Sequence, residues 1–91
     1  MMKILASEQV AAWLIALAPD PKRRVRLALR RLVAGQGDIK RLTGKLEGFN
    51  RLRIGGMRII YRQVSSYEIE LIYANTRDVV YELFELFLSK R

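Results

Sequence analysis

Apolar residues recur along this chain with two different periods, and the change between them divides it. Near the N-terminus Val10, Trp13, Leu14 and Leu17 are spaced three and four apart, the period of one helix face. Ser7, followed by Glu8 and Gln9, supplies an N-cap hydroxyl, so the pattern predicts a first helix from Ser7 to about Ala18. Pro19-Asp20-Pro21 interrupts it. Asp20 as N-cap, with Pro21 in the first helical position, opens a second helix that runs to Ala34 and stops before Gly35 and Gly37. Val25, Ala28, Leu29, Leu32 and Val33 form its single apolar stripe, and Lys22, Arg23, Arg24, Arg26, Arg30 and Arg31 crowd the other face. Ahead of both helices, Lys3 to Ala6 reads as a short edge strand.

From Gly48 onward the period moves towards two, with β-branched and aromatic enrichment. Phe49 to Ile54, Met57 to Val64 and Glu68 to Asn75 are predicted strands, joined by turns at Gly55-Gly56 and Ser65-Ser66. Helical spacing returns with Val80, Leu83, Phe84 and Phe87, predicting a last helix from Asp78 to about Ser89 whose apolar stripe suits helix-in-groove recognition. The order is β-α-α-β-β-β-α. It implies an α+β fold, a helical hairpin packed on a small antiparallel sheet, in one domain spanning residues 1–91.

Composition then narrows the chemistry. The chain contains no cysteine and no histidine, which removes disulfides, a thiol nucleophile, the usual zinc ligands and the usual general base. Any catalysis falls to Lys, Arg, Tyr, Asp or Glu, and no metal site is expected. The net charge of +8, from 17 basic and 9 acidic residues, favours an anionic partner, of which nucleic acid is the commonest. The apolar run from Val10 to Ala18 is too short to span a bilayer, and Ser7-Glu8-Gln9 breaks a signal-peptide pattern, so a cytoplasmic protein with no membrane partner is expected.

The motifs lie in Leu42-Thr43-Gly44 and in the run Gly48-Phe49-Asn50-Arg51-Leu52-Arg53-Ile54-Gly55-Gly56-Met57-Arg58-Ile59-Ile60-Tyr61. On a strand, Arg51 and Arg53 project to one face and Leu52 and Ile54 to the other, and the hairpin brings Arg58 alongside. Arg77 follows the last strand and Tyr81 lies one helical turn further on. A Leu-x-Gly turn, an Arg-Leu-Arg-Ile-Gly strand end, an Arg-hydrophobic-hydrophobic-Tyr strand and the Arg77-Asp78-Val79-Val80-Tyr81 segment together resemble the RelE/ParE toxin superfamily, over nearly the whole chain.

That resemblance implies a RelE-like fold. It also implies the toxin half of a type II toxin–antitoxin pair, a ribosome-dependent mRNA endonuclease that inhibits translation. By it, Arg58 and Arg77 hold the scissile phosphate, Tyr81 is the acid–base residue, and Arg51, Arg53 and Lys45 bind the RNA. Arg51 and Arg53 stand where some members carry lysines, and Thr76 where His or Lys is frequent. The implied reaction is attack by the substrate's own 2′-OH, leaving a cyclic phosphate and needing no metal or small-molecule cofactor. The implied partners are a cognate antitoxin, the ribosome and mRNA. Two other functions remain open on the same resemblance: a ParE-like inhibitor of DNA gyrase without nuclease activity, and an inactive basic domain that binds RNA or antitoxin. Tyr61 is assigned to the core instead, because Ile59 shares its strand face.

Overall fold

The computed structural model describes residues 2–76 and 80–90. Helix α1 spans Glu8–Ala16, and the Ser7 hydroxyl caps it by accepting from the Val10 N–H at 3.2 Å. Helix α2 spans Pro19–Val33 and begins two residues earlier than the pattern predicts. Ala18, held extended before a proline, is the N-cap, and Pro19 occupies the first turn with no side-chain cap. Asp20 therefore lies inside that turn instead of capping it, where its carboxylate suits the helix dipole and pairs with Arg23 at 3.3 Å on the surface.

Five strands form the sheet: β1 Lys3–Ala6, β2 Asp38–Arg41, β3 Asn50–Ile54, β4 Met57–Ser65 and β5 Glu68–Thr76, in spatial order β1-β5-β4-β3-β2. The expected helical hairpin on a sheet is present, with one strand added after α2. Strand β2 shows no alternation because it is a charged edge: Asp38, Ile39, Lys40 and Arg41 are all exposed, and only pairing with β3 makes them a strand. The sheet is mixed, since β1 runs parallel to β5 while its other neighbours are antiparallel. A short 3₁₀ turn, Gly44–Leu46, follows β2, and α3 spans Val80–Ser89. The helix start expected at Asp78 lies outside the described residues.

Helices α1 and α2 cover one face of the sheet, burying Val10, Val25 and Leu32 against Leu52, Ile59, Leu71 and Ala74, with Trp13 and Leu14 partly buried beside them. On the other face Val80 and Phe84 of α3 close over Ile60 and Ile72, joined by Leu42 and Leu46 from the turn after β2. Phe87 packs there too, so the apolar stripe of α3 is taken up by its own sheet. Burial on both sides explains why β4 opens with five consecutive buried residues, Met57 to Tyr61, instead of alternating.

Strand β1 pairs with β5 only as far as Ala6 opposite Leu71. Past that point side chains continue the ladder. The Ser7 hydroxyl donates to the Ile72 carbonyl at 2.7 Å. The Gln9 amide donates to the Ala74 carbonyl at 2.7 Å and accepts from the Ala74 N–H at 2.8 Å. Gln9 thus pairs with β5 as a strand residue would while belonging to a helix, and it locks α1 to the sheet.

Gln9→Ala should leave both Ala74 backbone groups without these bonds, at a cost of about 2 kcal/mol. For a domain of this size that lowers Tm by roughly 8–16 °C. Gln9→Glu keeps the acceptor but not the donor and should fall between wild type and Gln9→Ala; equal melting of all three in calorimetry would refute the tether.

Candidate nucleic-acid interface

The face under α3 is apolar at one end and basic at the other. Register explains why. Residues directly opposite in antiparallel strands share a face, and β3, β4 and β5 align Arg53 with Arg58 and Arg58 with Asn75. The row behind aligns Arg51 with Ile60 and Ile60 with Tyr73, beneath α3. On the outer strand Asp38 stands opposite Arg53, and Lys40 opposite Arg51. The basic end abuts the Gly55-Gly56 turn, where Gly55 takes a φ of 58°, a conformation that suits a tight hairpin and disfavours side chains.

Arg53 is exposed, whereas Arg58 retains 7% of its accessible surface. A guanidinium so placed must be hydrogen-bonded, and Arg58 Nη1 donates to the Gly55 carbonyl at 2.9 Å and to the Met57 carbonyl at 3.3 Å. Arg58 therefore fastens the turn between β3 and β4 from within the sheet. Arg53 and Arg58 are also like charges directly opposite in a ladder, an arrangement that destabilises a sheet by itself.

Arg51 is less available than its place on the strand suggests. Its Nη2 meets the Asp38 carboxylate at 2.8 Å, with Arg51 only 12% exposed at the side chain and Asp38 59%. Its Nε is buried and makes no hydrogen bond among the described residues. Lys45 is exposed on the 3₁₀ turn, between Leu42 and Leu46, which anchor that turn to the α3 side of the sheet. Tyr81 lies on the same side, half-buried against the α3 cluster. Arg77 lies outside the described residues. Tyr61 packs on the opposite face, where burial raises its pKa above the ordinary 10.0, and it takes no part in this surface.

Sequence reasoning missed Lys40 and Asn75. Neither carries a local signal: each joins the cluster only through the cross-strand register. Asn75 also fixes the end of β5, its side-chain oxygen accepting from the Thr76 N–H at 2.8 Å.

The basic face of α2 reaches the same end of the molecule. Arg24 Nη1 lies 3.5 Å from where a Cβ on Gly55 would sit. Arg24 and Arg31, two turns apart, line a cavity of about 250 Å³ together with Arg53 and Ile54 of β3. The positive surface thus runs from α2 past the turn onto the sheet. Among the described residues no group of three or more His, Cys, Asp or Glu stands together to hold a metal, and no helix is long and apolar enough to cross a membrane. Guanidinium groups of this kind grip phosphate oxygens bidentately and stay protonated at any working pH.

No protein-family model and no curated protein matches the sequence. Solved structures do match. The chain is similar to a structure of the RelB–RelE antitoxin–toxin complex from Methanococcus jannaschii, with a TM-score of 0.68 at 20% identity over 88% of this chain and 98% of that one. It is similar to YafQ from E. coli, with a TM-score of 0.67 at 12% identity over 89% and 99% of the two chains. The YoeB/ParE toxin from Agrobacterium tumefaciens superposes with a TM-score of 0.61 at 22% identity, over 84% of this chain and 99% of that one. The chain has the fold of the RelE/ParE toxin superfamily.

Proposed function

We propose that this protein is the toxin of a type II toxin–antitoxin pair and cuts mRNA on the ribosome without a metal ion. The observation that carries the reading is the Arg53–Arg58 cross-strand pair, like charges set face to face at the centre of a basic surface. Two guanidiniums on one face suit an anion that sits over them. A phosphodiester does so, and the demand rises as the reaction proceeds, because the phosphorane carries more negative charge than the ground state. Donors already in place for that extra charge are the largest catalytic contribution an enzyme of this kind can make.

In this mechanism exposed Arg53 contacts the phosphate directly. Arg58 lies behind it in the sheet, where low dielectric strengthens its field on the same group. By the superfamily resemblance Arg77 joins them. Lys45 and Arg51 follow the RNA backbone, with Arg51 exchanging Asp38 for a phosphate. The nucleophile is the 2′-OH of the nucleotide itself, so the protein's task is to hold it in line. Tyr81 is assigned the proton transfers.

The named complexes among the similar structures pair RelB with RelE and YefM with YoeB, and this chain is assigned an antitoxin of its own. Since α3 uses its apolar stripe internally, the docking surface is placed elsewhere. A cavity of about 230 Å³ between α1 and α2, walled by Leu14, Ile15, Val25 and Leu29 and rimmed by Lys22 and Arg26, has room for an apolar side chain of an amphipathic acidic helix laid across it. Ile15 stands 78% exposed at its mouth.

Arg53→Ala should fold normally and lower single-turnover cleavage on programmed ribosomes by about 10²–10³, the usual loss for one transition-state donor. Tyr81→Phe should retain ribosome binding and lose cleavage, with products of the wild type ending in a cyclic phosphate and chelators without effect. If Tyr81→Phe cuts at the wild-type rate, the acid–base assignment fails. On induction in cells, loss of supercoiling with translation intact would replace the nuclease reading by gyrase inhibition.

Ribosome association should weaken steeply with salt, since each phosphate neutralised on a single strand contributes a slope of roughly −0.7 in log K against log salt. Asp38→Asn removes the competing carboxylate and should tighten RNA binding by roughly two- to fivefold, the scale of one exposed ion pair. Unchanged affinity in a filter-binding assay would mean that Arg51 never leaves Asp38.

A further inference from the structure

A second cavity lies at the other end of β3. Strand β3 begins at Asn50, paired with Tyr61, while β4 continues to Ser65, so the edge of β4 beyond Tyr61 is not covered by β3. The space beside that edge measures about 410 Å³ and is lined by Arg41, Thr43, Glu47, Phe49, Asn50 and Gln63. This volume falls among small-ligand sites, which span about 300–1,000 Å³.

The walls are held from behind. The Leu42 N–H donates to the Phe49 carbonyl at 3.0 Å, and the Phe49 N–H to the Leu46 carbonyl at 3.1 Å. The Phe49 ring meets Phe84 edge to face, with centroids 5.0 Å apart, and so ties this wall to α3. The polar groups are not used up among themselves. Among the described residues the side chains of Arg41, Glu47 and Asn50 make no hydrogen bond or ion pair, and Gln63 uses only its nitrogen, on the Ser65 carbonyl at 3.2 Å. A guanidinium and a carboxylate thus line one preformed cavity without meeting.

We propose that this cavity receives one base of the bound RNA and selects guanine; the proposal rests on the RNA-cleavage reading above. Guanine presents two adjacent acceptors, O6 and N7, to a guanidinium fork, and two adjacent donors, N1–H and N2–H₂, to a carboxylate. Arg41 and Glu47 supply those two partners, Asn50 and Gln63 add amides, and Phe49 offers an apolar surface against which a base stacks. Asn50 is three residues from Arg53 along β3, roughly 10 Å at the rise of a strand. Asn50 projects to the face opposite Arg53, so a bound strand reaches both the phosphate-binding row and the cavity by turning around the end of β3, where Phe49 packs on the α3 side. The sheet holds the phosphate, and the loop beyond it reads the sequence.

The test uses 2′-O-methyl tetranucleotides, which cannot be cut, carrying a single guanine, adenine or cytosine in an otherwise uridine strand. Titrated into the wild-type protein, the guanine strand should shift the side-chain amide NMR signals of Asn50 and Gln63 at concentrations where the others leave them in place. Glu47→Gln should abolish that difference. In cleavage on programmed ribosomes, the same variant should lose about tenfold in preference for guanine beside the cut, the scale of one bidentate base contact, and cut guanine-free messages at the wild-type rate. Amide signals that ignore all three strands, or respond to them equally, overturn the proposal. So does weakened antitoxin binding by Glu47→Gln with base preference unchanged, which would make the cavity a protein contact. Guanine-dependent shifts in a protein that cuts no RNA would uphold the base site and refute the nuclease reading, so the two fail separately.

Discussion

A guanidinium enclosed in a sheet that is covered on both sides constrains everything around it. Arg58 is the charged member of the buried run that opens β4, and burying an ion costs several kcal/mol unless hydrogen bonds replace its water. Part of that replacement comes from the Gly55 and Met57 carbonyls, so the charge is satisfied only if the turn keeps its shape. The turn in turn fixes the register of β3 on β4, and the register sets Arg53 opposite Arg58. A one-residue slip would move Arg51 and Arg53 into the α1–α2 core and Leu52 out of it. The site is therefore specified by the same interactions that specify the sheet, and neither varies without the other.

The helices divide the labour around that constraint. Helices α1 and α2 cover their face along the central strands, and Gln9 secures α1 where β1 has run out. Among the described residues, helix α3 packs on the apolar end of the other face, while at the basic end Arg53 is exposed and Arg58 buried. The edge strand β2 completes the arrangement, since its Asp38 supplies a local counter-charge to Arg51.

Much of this was legible in the sequence because it depends on local periodicity. Both early helices, three of the strands, the Gly55-Gly56 turn and the opposite projection of Arg51 and Leu52 all follow from spacing, whereas the second turn lies at Ser66-Tyr67, one residue past the expected Ser65-Ser66, because β4 runs on to Ser65. What was not legible depends on pairing. Strand β2 has no period of its own, and its identity comes from β3. The helix boundary at Pro19 was misplaced because two prolines and an aspartate compete for the same turn, and the first proline prevails by holding Ala18 extended. The burial of Arg58, the capture of Arg51 by Asp38 and the membership of Lys40 and Asn75 all lie across strands, where one sequence carries no signal. The candidate residues were readable as a set of types; their availability was not.

The charge balance ties stability to occupancy. A net charge of +8 on ninety-one residues means that the folded chain carries repulsion that any bound polyanion relieves. A ligand that binds only the folded form stabilises it by RT ln(1 + [L]/Kd), whether the anion is an RNA backbone or an acidic protein. If the chain acts as proposed, both draw on the same electrostatic reserve, and an acidic partner seated near α2 would weaken RNA binding through the field alone, even without covering the Arg53–Arg58 row. Neutralisation by such a partner would then require no contact with the proposed catalytic groups, only proximity within about a Debye length, ~8 Å at physiological ionic strength. The reach of Arg24 to the Gly55 turn places α2 within that range of the site.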